Sequence, residues 1–273
     1  MPTLVNEESR WIETPHGRLF SQCWSPAGEH REQRQAPIVL FHDSLGCVAL
    51  WRDFPQRLCQ ATGREVLAYD RLGFGRSDAY PGELPTHFIQ DEAERFLPLL
   101  LAHWRVERFV AFGHSVGGAM AATCAARYPR QCQALITESA QAFVEDRTRQ
   151  GIQLAKQQFQ APGQLQRLHS YHGDKAPWVL AAWTDTWLSA AFASWTLESG
   201  VASIDCPLLV LHGADDEYGS LLHPERIARL ASAPARCLIL DGCRHVPHRE
   251  AMDQVLEAVR EHLRGACPAW PVP

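Results

Sequence analysis

Strand-length apolar runs alternating with longer helical stretches predict an α/β chain: a doubly wound, mostly parallel sheet with one helical insertion. The six runs PIVLFH (37–42), EVLAYD (65–70), RFVAFG (108–113), ALITES (134–139), PLLVLH (207–212) and CLILD (237–241) are nearly continuous in apolar residues. Strands covered on both faces have this composition. Helical patterns at 48–61, 87–104, 115–128, 221–232 and 249–264 fall between or after them. Strand–helix–strand repeats of this kind close as right-handed crossovers, which makes the strands parallel. The rhythm breaks once, from about 141 to 202, where no strand pattern occurs.

Taken in chain order, RWIETPHG (10–17) and RLFSQCW (18–24) form an edge hairpin ahead of the sheet. The six buried strands and their helices follow. The interrupted region carries APWVLAAWTDTWLSAAFASWTLES (176–199), with Trp178, Trp183, Trp187 and Trp195 beside Phe192. A helical, aromatic insertion of this size reads as a cap over one end of the sheet, because ligand sites in such sheets lie outside the carboxyl ends of the strands. Its tryptophans, Trp178, Trp183 and Trp187 among them, are either walls of an apolar substrate pocket or the cap's own core. The terminal CPAWPVP is expected to fray.

A chain of 273 residues, 46% hydrophobic, can bury one sizeable core, and residues 1–273 read as one domain with its cap at about 141–202. Twenty-six Lys and Arg against 31 Asp and Glu give a charge of −5, with no basic stripe for nucleic acid. No run approaches the roughly 18 to 20 apolar residues of a membrane span. The opening MPTLVNEESRWIETPHG is polar and acidic, unlike a signal peptide. Nine scattered cysteines without a C-x-x-C pair fit reduced thiols and a cytoplasmic location. No cofactor or metal is expected, and the oligomeric state is not legible.

Gly113-His114-Ser115-Val116-Gly117 fits G-x-S-x-G, with a strand before it and a helix after it. That context marks a nucleophile elbow, a turn so tight that only small neighbours clear it. In the chemical reading Ser115 is the nucleophile and the N–H of Val116 an oxyanion donor at a helix start. In the bland reading the glycines only let a helix pack on a strand. A serine hydroxyl needs a base, and the base needs an acid to hold its tautomer. Asp216 lies past the run at 207–212, and His245 past the run at 237–241. Parallel strands share one carboxyl edge, so Ser115, Asp216 and His245 are expected to converge there in the order Ser, Asp, His.

These residues resemble the α/β-hydrolase superfamily over nearly the whole chain. FHDSLG (41–46) sits where the family has its H-G-x-x-G oxyanion loop, and YDRLGFGRSD (69–78) resembles its D-x-x-G-x-G-x-S turn. The stretch SYHGDKAPWVLAAWTDTW before CPLLVLHGADD is most similar to the valacyclovir-hydrolase-like and enol-lactonase-like branch. The resemblance implies an α/β-hydrolase fold with the N–H of Ser44 as the second oxyanion donor. It also marks a departure: Asp43 stands where glycine is usual. A carboxylate beside an oxyanion repels it, so Asp43 must point away or be paired.

Other residues carry competing readings. The family's habit makes His42 a brace for the oxyanion loop, and His114 is expected only to pack. Asp215 replaces Asp216 if the loop register is off by one, Glu138 is an acid candidate after its own strand, and His248 competes with His245. His169, His172 and Asp174 are close in sequence but lack the further ligands of a closed metal site. Cys47 is expected to be inert, and Asp70 to satisfy turn donors.

Serine at the elbow excludes the aspartate-based epoxide hydrolases and haloalkane dehalogenases of the superfamily. Acyl transfer from a small to medium, apolar or aromatic ester or lactone to water is the expected reaction. Val116 argues against amino-acid esters, since relatives that prefer them carry an acid beside the nucleophile. Carbon–carbon bond hydrolysis, a lyase or an acyltransferase on the same residues stay open, as does a ligand-binding homologue without turnover.

Overall fold

The computed structural model describes residues 4–28, 35–201, 203–232 and 235–266. Its eight strands are β1 (Val5–Thr14), β2 (Gly17–Pro26), β3 (Ile38–Phe41), β4 (Val66–Tyr69), β5 (Phe109–His114), β6 (Cys132–Glu138), β7 (Leu208–Gly213) and β8 (Ala235–Leu240). They form one sheet in the order β1-β2-β4-β3-β5-β6-β7-β8. The β1–β2 and β2–β4 pairs are antiparallel and the rest parallel, so all six apolar runs and the hairpin take their expected places. The last run is not buried as expected: β8 closes the sheet as an edge strand, with Cys237 and Ile239 exposed. The tail CPAWPVP lies outside the described residues.

Alternation along the central strand sorts the core into two layers. Phe109 and Ala111 of β5 join one cluster, Val110 and Phe112 the other, as a period of two requires. The first layer packs under α2 (Phe88–Asp91), α3 (Leu97–Trp104), α4 (Val116–Arg127) and α8 (Leu222–Arg229). The second packs under α1 (Phe54–Thr62) and α10 (Met252–Ala266). Between β6 and β7 lie α5 (Asp146–Gln158), α6 (Gln164–His172) and α7 (Ala176–Leu188), and α9 (Pro247–Glu250) precedes α10.

Two expected helices are subdivided for local reasons. The 87–104 segment is α2, a π-helical turn over Glu92–Phe96, then α3. Pro98 has no N–H and its ring crowds the carbonyl four residues back, and widening the helix relieves both. The 48–61 segment is a 3-10 turn (Val48–Trp51) followed by α1, whose first turn carries Pro55.

β5 lies between β3 and β6, in register to Gly113 on one side and His114 on the other. The residue after β5 is therefore delivered to the carboxyl edge of the sheet at its middle. A Cβ on Gly113 would lie 2.0 Å from the carbonyl oxygen of Gly117. Gly113→Ala is expected to lower the unfolding free energy by about 3 kcal/mol. Urea titration checks this, and an unchanged midpoint would show that α4 can move off the strand.

Candidate active site

Ser115 has φ 57° and ψ −128°, a left-handed conformation that costs a non-glycine residue about 1–3 kcal/mol. Its own bonds hold it there. The N–H donates to the Glu138 carbonyl at 2.9 Å, and its carbonyl accepts from Gly118 N at 2.9 Å. A Cβ on Gly117 would lie 2.1 Å from the Phe41 carbonyl oxygen, so α4 can start this close to β3 only with glycine. The turn presents the hydroxyl to a cavity.

The side chains of Ser115, Asp216 and His245 meet as the strand order anticipates. The Ser115 hydroxyl is 3.1 Å from His245 Nε2, and His245 Nδ1 lies 2.9 Å from both Asp216 carboxylate oxygens. Asp216 also accepts from the N–H groups of Tyr218 (2.8 Å) and Gly219 (3.2 Å). Burial pushes its pKa up, but the charge and hydrogen bond of His245 outweigh this and bring it down to about 2. With Asp216 ionised, Nδ1 carries the proton and Nε2 can accept the serine's. Asp215 is exposed, so the loop register is the one expected.

The loop after β3 is braced from beneath. His42 is buried, donates from Nδ1 to the Asp43 carbonyl (2.8 Å) and accepts the Arg71 N–H at Nε2 (3.1 Å). Desolvation keeps that ring neutral. The Arg71 guanidinium also donates to the Asp43 carbonyl, at 2.8 Å. The N–H groups of Leu45 and Gly46 go to the Asp43 side chain and carbonyl, whereas that of Ser44 is in no such bond. Val116 opens α4, and a first helical N–H has no acceptor within its helix. Among the described residues neither backbone group named as an oxyanion donor has an acceptor, and Ser44 lines the cavity.

Comparison with known proteins is decisive for the family. A family model described as alpha/beta hydrolase fold matches residues 36–196. The chain belongs to the alpha/beta hydrolase family. The 1-acylglycerol-3-phosphate O-acyltransferase ABHD5 of Homo sapiens is 30% identical over 134 residues, 46% of this chain and 35% of that protein. The chain thus spans about a third of the length of such curated relatives. The bifunctional esterase/perhydrolase DCH of Acinetobacter calcoaceticus is 25% identical over 229 residues, 73% of this chain and 79% of that one. Among solved structures, proline iminopeptidase of Mycobacterium smegmatis superposes with TM-score 0.75 at 18% identity, over 95% of this chain and 98% of that one. A 2-hydroxy-6-oxo-6-phenylhexa-2,4-dienoate hydrolase from Rhodococcus sp. does so at 0.71 and 18%, over 96% and 100%.

In this hydrolase-fold chain the cavity at Ser115 holds about 220 Å³. Thr148 and Ile152 of α5 and Trp183 and Trp187 of α7 line it, so the insertion does reach the serine. Trp178 does not. Its indole stacks on Tyr80 (5.4 Å), meets Phe74 edge-on and donates to the Gly82 carbonyl at 2.7 Å. The expectation that Trp178 could line the pocket is corrected by helix geometry. Residues 183 and 187 are one turn apart on one face, whereas five residues at about 100° each carry 178 roughly 140° away.

Gln141 was not singled out from sequence, yet its Oε1 lies 3.2 Å from the Ser115 hydroxyl. It is held there by its neighbour Ala142, whose N–H donates to His223 Nδ1 (3.0 Å) and whose carbonyl accepts from Leu197 N (2.7 Å). His114, expected only to pack, lies 2.8 Å through Nε2 from the carbonyl oxygen of His245 and 3.4 Å through Nδ1 from Asp43 Oδ2. Glu138 and His248 bond each other at 2.8 Å, which removes both as substitutes for Asp216 and His245. His169 pairs with Asp174 at the surface, while buried His172 joins α6 to the Gly75 N–H (2.8 Å) and Leu45 carbonyl (3.0 Å). The three do not share a site. Burial pushes the Cys47 thiol up to about 12, and Asp70 accepts the Val48 and Arg76 N–H groups. No helix among the described residues is long and apolar enough to cross a membrane.

The low Asp216 pKa has a pH signature. A carboxylate depressed from 3.8 to about 2 contributes stability above about pH 4 and loses it as pH falls through about 2. The excess stability of the wild type over Asp216→Asn should therefore shrink by about 2 kcal/mol between about pH 5 and pH 2. Denaturant titrations across that range measure it, and a constant difference would mean that the carboxylate is not held by His245.

Proposed function

We propose that the protein is a serine hydrolase that cleaves small to medium, apolar or aromatic carboxylic esters or lactones through an acyl-enzyme. The observation that carries the reading is the unbroken chain from Asp216 through His245 to Ser115, at 2.9 and 3.1 Å, opening into a cavity walled by Trp183 and Trp187. Ser115 Oγ attacks the acyl carbon while its proton passes to His245 Nε2. Asp216 stabilises the imidazolium. The N–H groups of Ser44 and Val116 take the oxyanion, and the start of α4 adds its dipole to the second of them. His245 then protonates the departing alcohol, and water, deprotonated by the same nitrogen, releases the acid.

The cavity argues for the substrate class. Trp183 meets Tyr218 edge-on at 5.9 Å, and Trp187 packs on Phe192 and Trp195, giving broad apolar walls with little side-chain freedom to lose. In this reading α5–α7 act as a cap, anchored at its base by the Phe143–Thr196 bridge. Val116 is buried among core residues, so no charged side chain flanks the nucleophile from α4 to meet a substrate ammonium.

Fluorophosphonate labelling of the whole chain, followed by a panel of p-nitrophenyl esters, aryl esters and lactones with water or an alcohol as acyl acceptor, tests the proposal. Ser115→Ala should lose labelling and several orders of magnitude in turnover while folding normally. An unlabelled wild type would sink the hydrolase reading, and preferred transfer to the alcohol would make the protein an acyltransferase. Trp183→Ala should raise KM for aryl esters about tenfold with kcat nearly unchanged, the mark of lost uniform binding.

A further inference from the structure

The residue before the nucleophile, His114, is buried, and its ring touches two loops that approach it from different strands. Nε2 is 2.8 Å from the backbone carbonyl oxygen of His245. A carbonyl only accepts, so Nε2 must carry a hydrogen. On the other side Nδ1 is 3.4 Å from Asp43 Oδ2, an ion-pair distance without the alignment of a hydrogen bond. A bare lone pair there would face a carboxylate, so this nitrogen is best protonated as well. Asp43 is fixed in that direction because its other oxygen accepts the Leu45 N–H at 2.8 Å. The carboxylate that replaces the family's usual glycine is thus turned onto His114, in keeping with the requirement that it be paired.

A third acceptor lies close by. Ligand atoms of His114, Glu138 and His248 all fall within 4.8 Å of one another, and Glu138 Oε2 has no hydrogen-bond partner among the described residues. The cluster does not suit a metal ion. Glu138 Oε1 and His248 Nδ1 are 2.8 Å apart, whereas two ligands on a tetrahedral ion stand about 3.3 Å apart. Together with Asp43 it places the His114 ring between two carboxylates, one of them, Glu138, also bonded to His248.

We propose that His114 is a positioning residue: a doubly protonated ring, flanked by Asp43 and Glu138, that ties the oxyanion loop to the carbonyl of the general base. Resting on the hydrolase reading above, this assigns a role to the variable position of the elbow and to Asp43 together. The link sets the distance between the Ser44 N–H and the His245 ring, the two groups that must flank one tetrahedral centre. It also neutralises Asp43, which would otherwise repel the oxyanion. The titratable groups facing the ring are Asp43 from the β3 loop, Glu138 from β6, and His245 and His248 from the last loop and α9. Burial acts to lower the His114 pKa, but Asp43, Glu138 and the His245 carbonyl outweigh it and raise it, while Asp43 and Glu138 are held below the usual carboxylate range.

Two measurements on the full chain test this. In a nitrogen–proton correlation spectrum at neutral pH, His114, assigned by its loss in His114→Asn, should show protons on both ring nitrogens. A singly protonated ring overturns the proposal whether or not the protein hydrolyses esters. Second, His114→Asn and Asp43→Asn should each lower the fluorophosphonate labelling rate and ester kcat by about 100-fold, the scale of a 1 Å misplacement, with KM within about twofold. The double variant should be no slower than the slower single, because both break one link. His114→Gln, which can still donate to the His245 carbonyl, should recover part of the loss. The wild-type rate should fall on the alkaline side as His114 gives up its second proton, and that limb should be absent in His114→Asn. Variants that label at the wild-type rate overturn the proposal, whereas a wild type that does not label overturns only the hydrolase reading. If His114→Asn fails to fold, Asp43→Asn, isosteric and at a partly exposed position, decides by the same rate.

Discussion

The backbone of Ser115 is the constraint on which the rest of the site depends. A left-handed φ of 57° at a non-glycine residue persists only when its surroundings over-determine it. Here β5 is paired on both sides up to the turn, the Ser115 N–H is spent on β6, and α4 begins at once with its backbone against β3. Relaxing the serine would break a strand pairing or push a helix into the Phe41 carbonyl. The strain is therefore held by the sheet, and the hydroxyl has a fixed origin before any partner arrives.

From that origin, chain topology does most of the assembly. β6, β7 and β8 lie in order beside β5, so the loops leaving their carboxyl ends arrive at one side of the serine. Asp216 comes three residues after β7, and its two backbone hydrogen bonds to Tyr218 and Gly219 fold the loop over its own carboxylate. A buried carboxylate costs much unless fully bonded, and these donors let Asp216 stay ionised with no exposed surface to its side chain. His245 is more open, its side chain 12% exposed, as its proposed proton exchange with water requires.

Much of this was legible in the amino-acid sequence, and the boundary has a physical cause. Apolar runs and the G-x-S-x-G turn are local signals, so the six parallel strands, the elbow and the order Ser115, Asp216, His245 could be read directly. The exposure of β8 instead follows from its place at the sheet edge, which its composition does not carry. The roles of His114 and Gln141 could not, because they depend on which side chain of another strand faces them: Asp43 across β3, and Ser115 across β5. Trp178 was misplaced for the converse reason. The aromatic composition of α7 was visible, but which face turned to the cavity was set by its packing on Tyr80 and Phe74. The subdivision of 87–104 at Pro98 was a local signal that a purely periodic reading passed over.

Three carboxylates stand around one serine, and each faces an imidazole: Asp216 with His245, Glu138 with His248, Asp43 with His114. Only the first pair presents a free Nε2 to the hydroxyl. The other two still bear on the proposed acyl transfer, because in that reaction an oxyanion forms among charges of its own sign in a partly dry cavity, where screening is weak. In that proposed reaction Asp216 is answered when His245 takes the serine's proton, at the moment the oxyanion appears. Glu138 is bonded twice by His248, through Nδ1 and its backbone N–H, and sits on the far strand. Asp43 is the exception, since it adjoins Ser44, the proposed oxyanion donor, and would weaken that donor in any state where it lacked a counter-charge. A standing cation on His114 removes that penalty before substrate binds. The glycine usual at position 43 requires no such cation, so the aspartate and the ring answer to each other as a pair.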